Sequence, residues 1–266
     1  MAEPIYFGGQ RAWLKRYGVG SRRAALAALR FVADRLHLPA LRPPPHRAGG
    51  AALEVEARRL SELEAQQVNV PKVIGQARDT LVLSDTGDSL NARLRQVRND
   101  PALLDAMVSA ALAAIADGHR KGAYFGQPVP RNMTWAEGKV GFLDFEEDPL
   151  EVMSLQQAQA RDWLMFGYGV AGFYDDRPDA LAALMREAMR GEEDEVRRQA
   201  GETTARLGRV ARLSLRLGRS ARALAHAVFV VHSASTLPLL IVAAITCDCL
   251  LDGELVNFRV AVRHAE

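Results

Sequence analysis

A chain of 266 residues, 48% hydrophobic and 25% charged, can bury a substantial core, either as one large domain or as two small lobes around a cleft. A net charge of +2 is too small to argue for a nucleic-acid partner. Cys247 and Cys249 are the only cysteines. Their spacing suits neither a relaxed disulfide nor, without further ligands, a zinc site, and a reducing compartment is the simple reading.

The chain opens with no basic start and no long apolar run, so no secretory signal is expected, and it shows no internal repeat. IYFGGQRAWLKR (5–16) predicts two short strands around Gly8-Gly9, with Trp13, Lys15 and Tyr17 on one face. A helical stretch over 22–38 follows, then PALRPPPHRAGG, a stiff linker that ends in flexible glycines. The next helix, 51–67, carries an apolar stripe of Leu53, Leu60 and Leu63, and Glu56 falls on that stripe. A carboxylate on a buried face needs a cationic partner, because an unpaired buried charge costs several kcal/mol. The alternative is a helix edge from which Glu56 reaches solvent.

VPKVIG and TLVLSD predict two strands, followed by a turn at Thr86-Gly87-Asp88, a helix from near Ser89 and a longer helix over 101–119. The loop 122–132 leads into a hairpin around Glu137-Gly138. Alternation places Val140, Phe142 and Asp144 on one face, so Asp144 is expected to continue a buried face. A solvated acidic turn, with Glu146, Glu147 and Asp148, is the alternative. Asn132 and Asp144, on either side of this hairpin, carry oxygens that suit Mg²⁺. In the helix 154–172, Asp162 shares a side with Leu155, Ala158 and Met165. Helical pattern resumes over 179–217, broken by REAMRGEEDEVRRQ. Arg206, Arg209, Arg212, Arg216, Arg219 and Arg222 then form the basic face of an amphipathic helix. The stretch 223–247 has no Asp, Glu, Lys or Arg and is long enough to span a bilayer, yet His226, His232, Ser235 and Pro238 also suit two buried helices with a break.

A Lys on an early strand, a Glu on the buried face of the next core helix, an Asn after a loop and an Asp closing a strand form the set that phosphoryl transfer from ATP needs. In ALEVEARRLSELEAQQVNVPKV, TLVLSDTGDSL, AIADGHRKGAYFGQPVPRNMTW, VGFLDFEEDP and QAQARDWLMF the chain resembles bacterial atypical kinases. These are the lipopolysaccharide-kinase-like and RIO-like branches of the protein-kinase superfamily, and the resemblance covers about residues 10 to 175. It implies an α+β, two-lobed protein-kinase-like fold, with a small N-terminal sheet lobe (1–86) and a larger, mainly helical lobe (87–200). The basic helix and apolar helices of 201–266 would follow.

The resemblance also implies roles. Lys15 takes the place of the ATP-phosphate lysine and Glu56 that of its ion-pair partner. Asn132 and Asp144 take the metal-ligand positions. Asp85 to Gly87 lie at or just past the hinge that receives adenine, and Asp162 is the acid that braces the catalytic loop. ATP and Mg²⁺ would be the cofactors, and the acceptor a cell-envelope saccharide or a protein hydroxyl. The expected location is cytoplasmic, with residues 206–222 suited to peripheral association with an anionic membrane face. The departures are specific. Gln127 stands where the catalytic aspartate belongs, Phe125 replaces the loop histidine, Gly8-Gly9 is all that remains of the phosphate-covering loop, and Asp144-Phe145-Glu146 replaces Asp-Phe-Gly. A neutral amide cannot accept a proton as a carboxylate does, which leaves Asp148 or Glu146 as substitutes. A pseudokinase without turnover is therefore the second reading. A membrane-associated interaction protein that works through 201–266 is the third.

Overall fold

The computed structural model describes residues 2–18, 30, 31, 33–35, 37–214, 228–232, 234 and 235. The chain is α+β, with a small antiparallel sheet at its N-terminus and a mostly helical remainder. Strands β1 (Ala2–Phe7) and β2 (Gln10–Arg16) form a hairpin through Gly8-Gly9. With β3 (Val73–Gln76) and β4 (Thr80–Ser84) they make a sheet of order β1-β2-β4-β3. The helix α1 (Gly50–Ala65) buries Leu53, Leu60 and Leu63 in the same core as Leu81 and Leu83 of β4. Its predicted apolar stripe is therefore the face turned to the sheet.

A second sheet joins β5 (Asp88–Ser89), β6 (Met133–Ala136) and β7 (Lys139–Phe142). The β6–β7 turn holds Glu137 at φ 50 and Gly138 at φ 78, the paired left-handed residues that a two-residue hairpin requires. Helices follow: α2 (Leu90–Gln96), α3 (Pro101–Arg120), α4 (Leu155–Ala171), α5 (Pro178–Met189) and α6 (Asp194–Ser214). Their starts are locally encoded. The Asp100 carboxylate accepts from the Ala102 and Leu103 N–H groups ahead of α3, and Ser154 with Gln157 closes a capping box on α4.

By length and composition, α3 is long and apolar enough to cross a membrane. Its Leu104, Val108, Leu112 and Ile115 are buried in the main core. Within the expected apolar stretch 223–247, residues 228–232 are helical, and Val228, Val230 and Val231 join that same core. Apart from Ala234 and Ser235, the rest of that stretch lies outside the described residues, as do both cysteines, the basic positions beyond 214 and most of the helix expected over 22–38.

Candidate functional site

Alternation along β2 turns Lys15 inward, and Tyr17, just past the end of the strand, is buried on the same side, where α1 presents Glu56. The spacing along the chain does not establish that the two charges meet, but in space they do. Lys15 Nζ lies 2.7 Å from Glu56 Oε2, 2.8 Å from Asp144 Oδ1 and 2.9 Å from Glu146 Oε1. Glu56 is 1% exposed, so the solvated-edge alternative does not hold. The Tyr17 hydroxyl donates to Glu56 Oε2 at 2.5 Å, and the Phe145 N–H points to Oε1 at 3.4 Å. Burial pushes the Glu56 carboxyl up from its ordinary range, against the pull of Lys15. Burial also opposes the charge on Lys15, yet Asp144, Glu56 and Glu146 outweigh it and hold the ammonium well above its usual range. The two side chains are in direct contact, with Glu56 also held by Tyr17.

The loop that leads to the hairpin is held from below. Asp162, fully buried on α4, accepts the Phe125 N–H at 2.7 Å and the Gly126 N–H at 2.6 Å. Its Oδ2 also lies 3.2 Å from His119 Nε2, while His119 Nδ1 lies 2.8 Å from Glu192 Oε1. Burial works against the imidazolium, but Asp162 and Glu192 prevail and raise the His119 pKa. A raised folded-state value stabilises fully below the unfolded value of about 6.5 and is lost as pH rises through the folded value. Urea midpoints of the native protein should therefore decline from pH 6 upward, and His119→Gln should remove that decline. An unchanged slope in the variant would assign it to other groups.

Next along the loop, Asn132 donates through Nδ2 to the Gln127 carbonyl at 3.1 Å, and its own carbonyl accepts the Leu143 N–H at 2.8 Å. These bonds tie Asn132 to the loop on one side and to the end of β7 on the other. The side-chain bond uses an amide N–H; the amide oxygen, which a hard cation would take, is the other end of the group. Gly169 on α4 lets the loop come this close, because a Cβ there would stand 3.2 Å from Val129 Cβ and closer still to Pro130.

Asp144 departs from expectation. β7 ends at Phe142, and Asp144 takes φ 69, so the alternation that buries Val140 and Phe142 does not reach it. Its side chain is 49% exposed and turns to Lys15 rather than into the core. Asp148 also corrects the reading of a solvated turn. It is buried, accepting from the Tyr124 hydroxyl at 2.7 Å, Arg58 Nη2 at 2.7 Å and the Leu150 N–H at 3.1 Å. Burial would raise its pKa, but the Tyr124 and Arg58 hydrogen bonds outweigh that and hold it below the usual carboxylate range. So engaged, Asp148 is no substitute for a loop base.

Two cavities meet at Asp144. One, of about 330 Å³, is lined by Trp13, Lys15, Leu60, Leu83, Thr86, Gly87, Asn132 and Leu143. Gly87 suits its rim. At φ 115, a Cβ would stand 2.7 Å from the Trp135 carbonyl oxygen, which only glycine avoids. Asp85 is set apart from this lining. Its carboxylate accepts from Trp13 Nε1 at 2.8 Å and Arg11 Nε at 2.9 Å, fixing the indole that forms one wall. The other cavity, of about 310 Å³, is lined by His46, Gln127, Glu146, Glu147 and Arg161. Gln127 thus faces a different space from Lys15 and Asn132.

The oxygens of Glu56, Asp144 and Glu146 come within 4.8 Å of one another around the Lys15 ammonium, a donor set that a hard divalent cation could use. Sequence reasoning missed Tyr17 as a Glu56 donor, although its place on the Lys15 face was the signal. It had no signal for the pairing of His119 with Glu192, which a local pattern does not connect.

No protein-family model matches the chain. The chain is similar to an uncharacterized protein of Haemophilus influenzae, at 32% identity over 106 residues. The matched segment is 40% of this chain and 42% of that protein, so the chain spans less than half of that relative's length.

Proposed function

We propose that the chain is a phosphotransferase of the protein-kinase type, using ATP with Mg²⁺, with the nucleotide in the cavity of about 330 Å³ between two lobes. The observation that carries this reading is the Lys15 ammonium, held by Glu56 at 2.7 Å and Asp144 at 2.8 Å at the edge of a cavity that Asn132 also lines. In this reading Leu60, Leu83 and Leu143 receive the flat base, and Lys15 receives the phosphates while Glu56 fixes its position. The Asn132 amide and Asp144 carboxylate are the hard oxygen donors that would hold Mg²⁺, which when bound offsets phosphate charge. Transfer joins an acceptor hydroxyl oxygen to the terminal phosphorus and breaks the bond to the ADP oxygen. The hydroxyl proton goes to solvent, since Gln127 cannot take it.

Thermal unfolding with ATP and Mg²⁺ tests the reading. Ligand at about 100 times its dissociation constant should add roughly 2.7 kcal/mol, and Asp144→Ala should abolish both this shift and any turnover. Turnover that survives Asp144→Ala would sink it. A second reading, nucleotide binding without turnover, is favoured by the amide at Gln127 together with the engagement of Asp148 by Tyr124 and Arg58. It expects a thermal shift with no product, and robust native turnover removes it.

A further inference from the structure

The cavity of about 310 Å³ contains a charge that the proposed chemistry does not use. Arg161, on α4, lines it while only 5% exposed. Its Nε donates to the Gly126 carbonyl at 2.9 Å, and its Nη1 reaches the Arg42 carbonyl at 3.4 Å. Among the described residues no carboxylate lies within ion-pair distance of it. Carbonyls satisfy N–H groups but do not neutralise a charge, and a guanidinium cannot shed its proton.

Two neighbouring charges in this cavity are answered: Arg47 forks onto Glu151 at 2.6 and 2.8 Å, and Glu146 lies 2.9 Å from Lys15. Glu147 lies 3.6 Å from His46, a counter-charge only when that ring is protonated. Arg161 is therefore a buried cation facing a space of small-molecule size, without a counter-charge among the described residues. The missing partner is an oxyanion, which a guanidinium meets through paired N–H donors.

We propose that this cavity is the acceptor subsite and that the acceptor is a small hydroxyl-bearing molecule with an anionic group, phosphate or carboxylate, which Arg161 receives. The proposal rests on the phosphotransferase reading for the word acceptor, and it concerns binding alone. Asp144 lines both cavities, so a molecule anchored at Arg161 extends toward the place where the terminal phosphate of a nucleotide would lie.

The test titrates the full chain with glucose 6-phosphate, glucuronate and glucose at equal concentration and ionic strength, reading thermal shift and calorimetric affinity, with ATP and Mg²⁺ as a separate arm. At least one anionic sugar should bind and neutral glucose should not, and the two anionic arms distinguish phosphate from carboxylate. Arg161→Gln should weaken the anionic sugar by about tenfold or more while the ATP shift persists. If Arg161→Gln fails to fold, Arg161→Lys keeps the charge without the fork and should weaken binding while leaving the ATP shift. Absence of anionic binding in protein that responds to ATP overturns the proposal, as does native affinity in the Arg161 variant. Anion binding that depends on Arg161 in protein blind to ATP supports the anion subsite and overturns the phosphotransferase reading instead.

Discussion

Replacing Asp162 by alanine is expected to lower the unfolding free energy by about 3–5 kcal/mol, the range for removing one partner from a buried charged network. The carboxylate is fully buried and accepts two loop N–H groups, at 2.7 and 2.6 Å, while facing His119 at 3.2 Å. Without it, Phe125 N–H and Gly126 N–H lose their acceptor in a site closed to water, and His119 keeps Glu192 alone. Asp162→Asn retains one acceptor oxygen and should lose less. Urea unfolding measures the difference, and hydrogen exchange at Phe125 and Gly126 locates it. A loss below about 1 kcal/mol, the scale of one ordinary hydrogen bond, would mean that the loop is held by other contacts. The consequence reaches the candidate site, because Asn132 hangs from the same loop through the Gln127 carbonyl.

Local rules carried part of this arrangement and failed at identifiable points. Period-two alternation set Lys15 beside Tyr17, and the helical stripe of α1 placed Glu56 inside, because both depend on a few neighbouring residues. Their meeting depends on the sheet order β1-β2-β4-β3 and on the packing of α1 against it, which no short window contains. At Asp144 the same alternation misled. A pattern shows which face a strand residue takes, but not the residue at which the strand stops, and here a left-handed turn intervenes at φ 69. Asp148 looked like one more acid in a solvated run. Its burial comes from Arg58 and Tyr124, which approach from other elements. Arg161 sits next to Asp162 in the chain, yet nothing local separates a surface arginine from one that is 5% exposed.

Lys15→Met should reduce transfer by about 10²–10³-fold, as removal of one preorganised electrostatic donor does. It should also change the protein without substrate. The ammonium lies between Glu56, Asp144 and Glu146, so its loss leaves carboxylates that face one another within 4.8 Å. Glu56, already raised by burial, then loses the cation that pulls its pKa down and rises further. The folded state will hold a proton that an unfolded Glu, at about 4.3, releases. Stability should thus be retained below that unfolded value and fall as pH rises through the folded one, so the variant loses more than the native protein as pH rises above the unfolded value. Glu56→Gln added to Lys15→Met removes the titrating group and keeps its shape. The double variant should recover stability at pH 8 and flatten the profile without recovering transfer. If its stability stays as low as that of Lys15→Met, the destabilisation comes from lost packing of the lysine stem and not from an unpaired carboxylate. If transfer returns, Lys15 is not the phosphate-binding group.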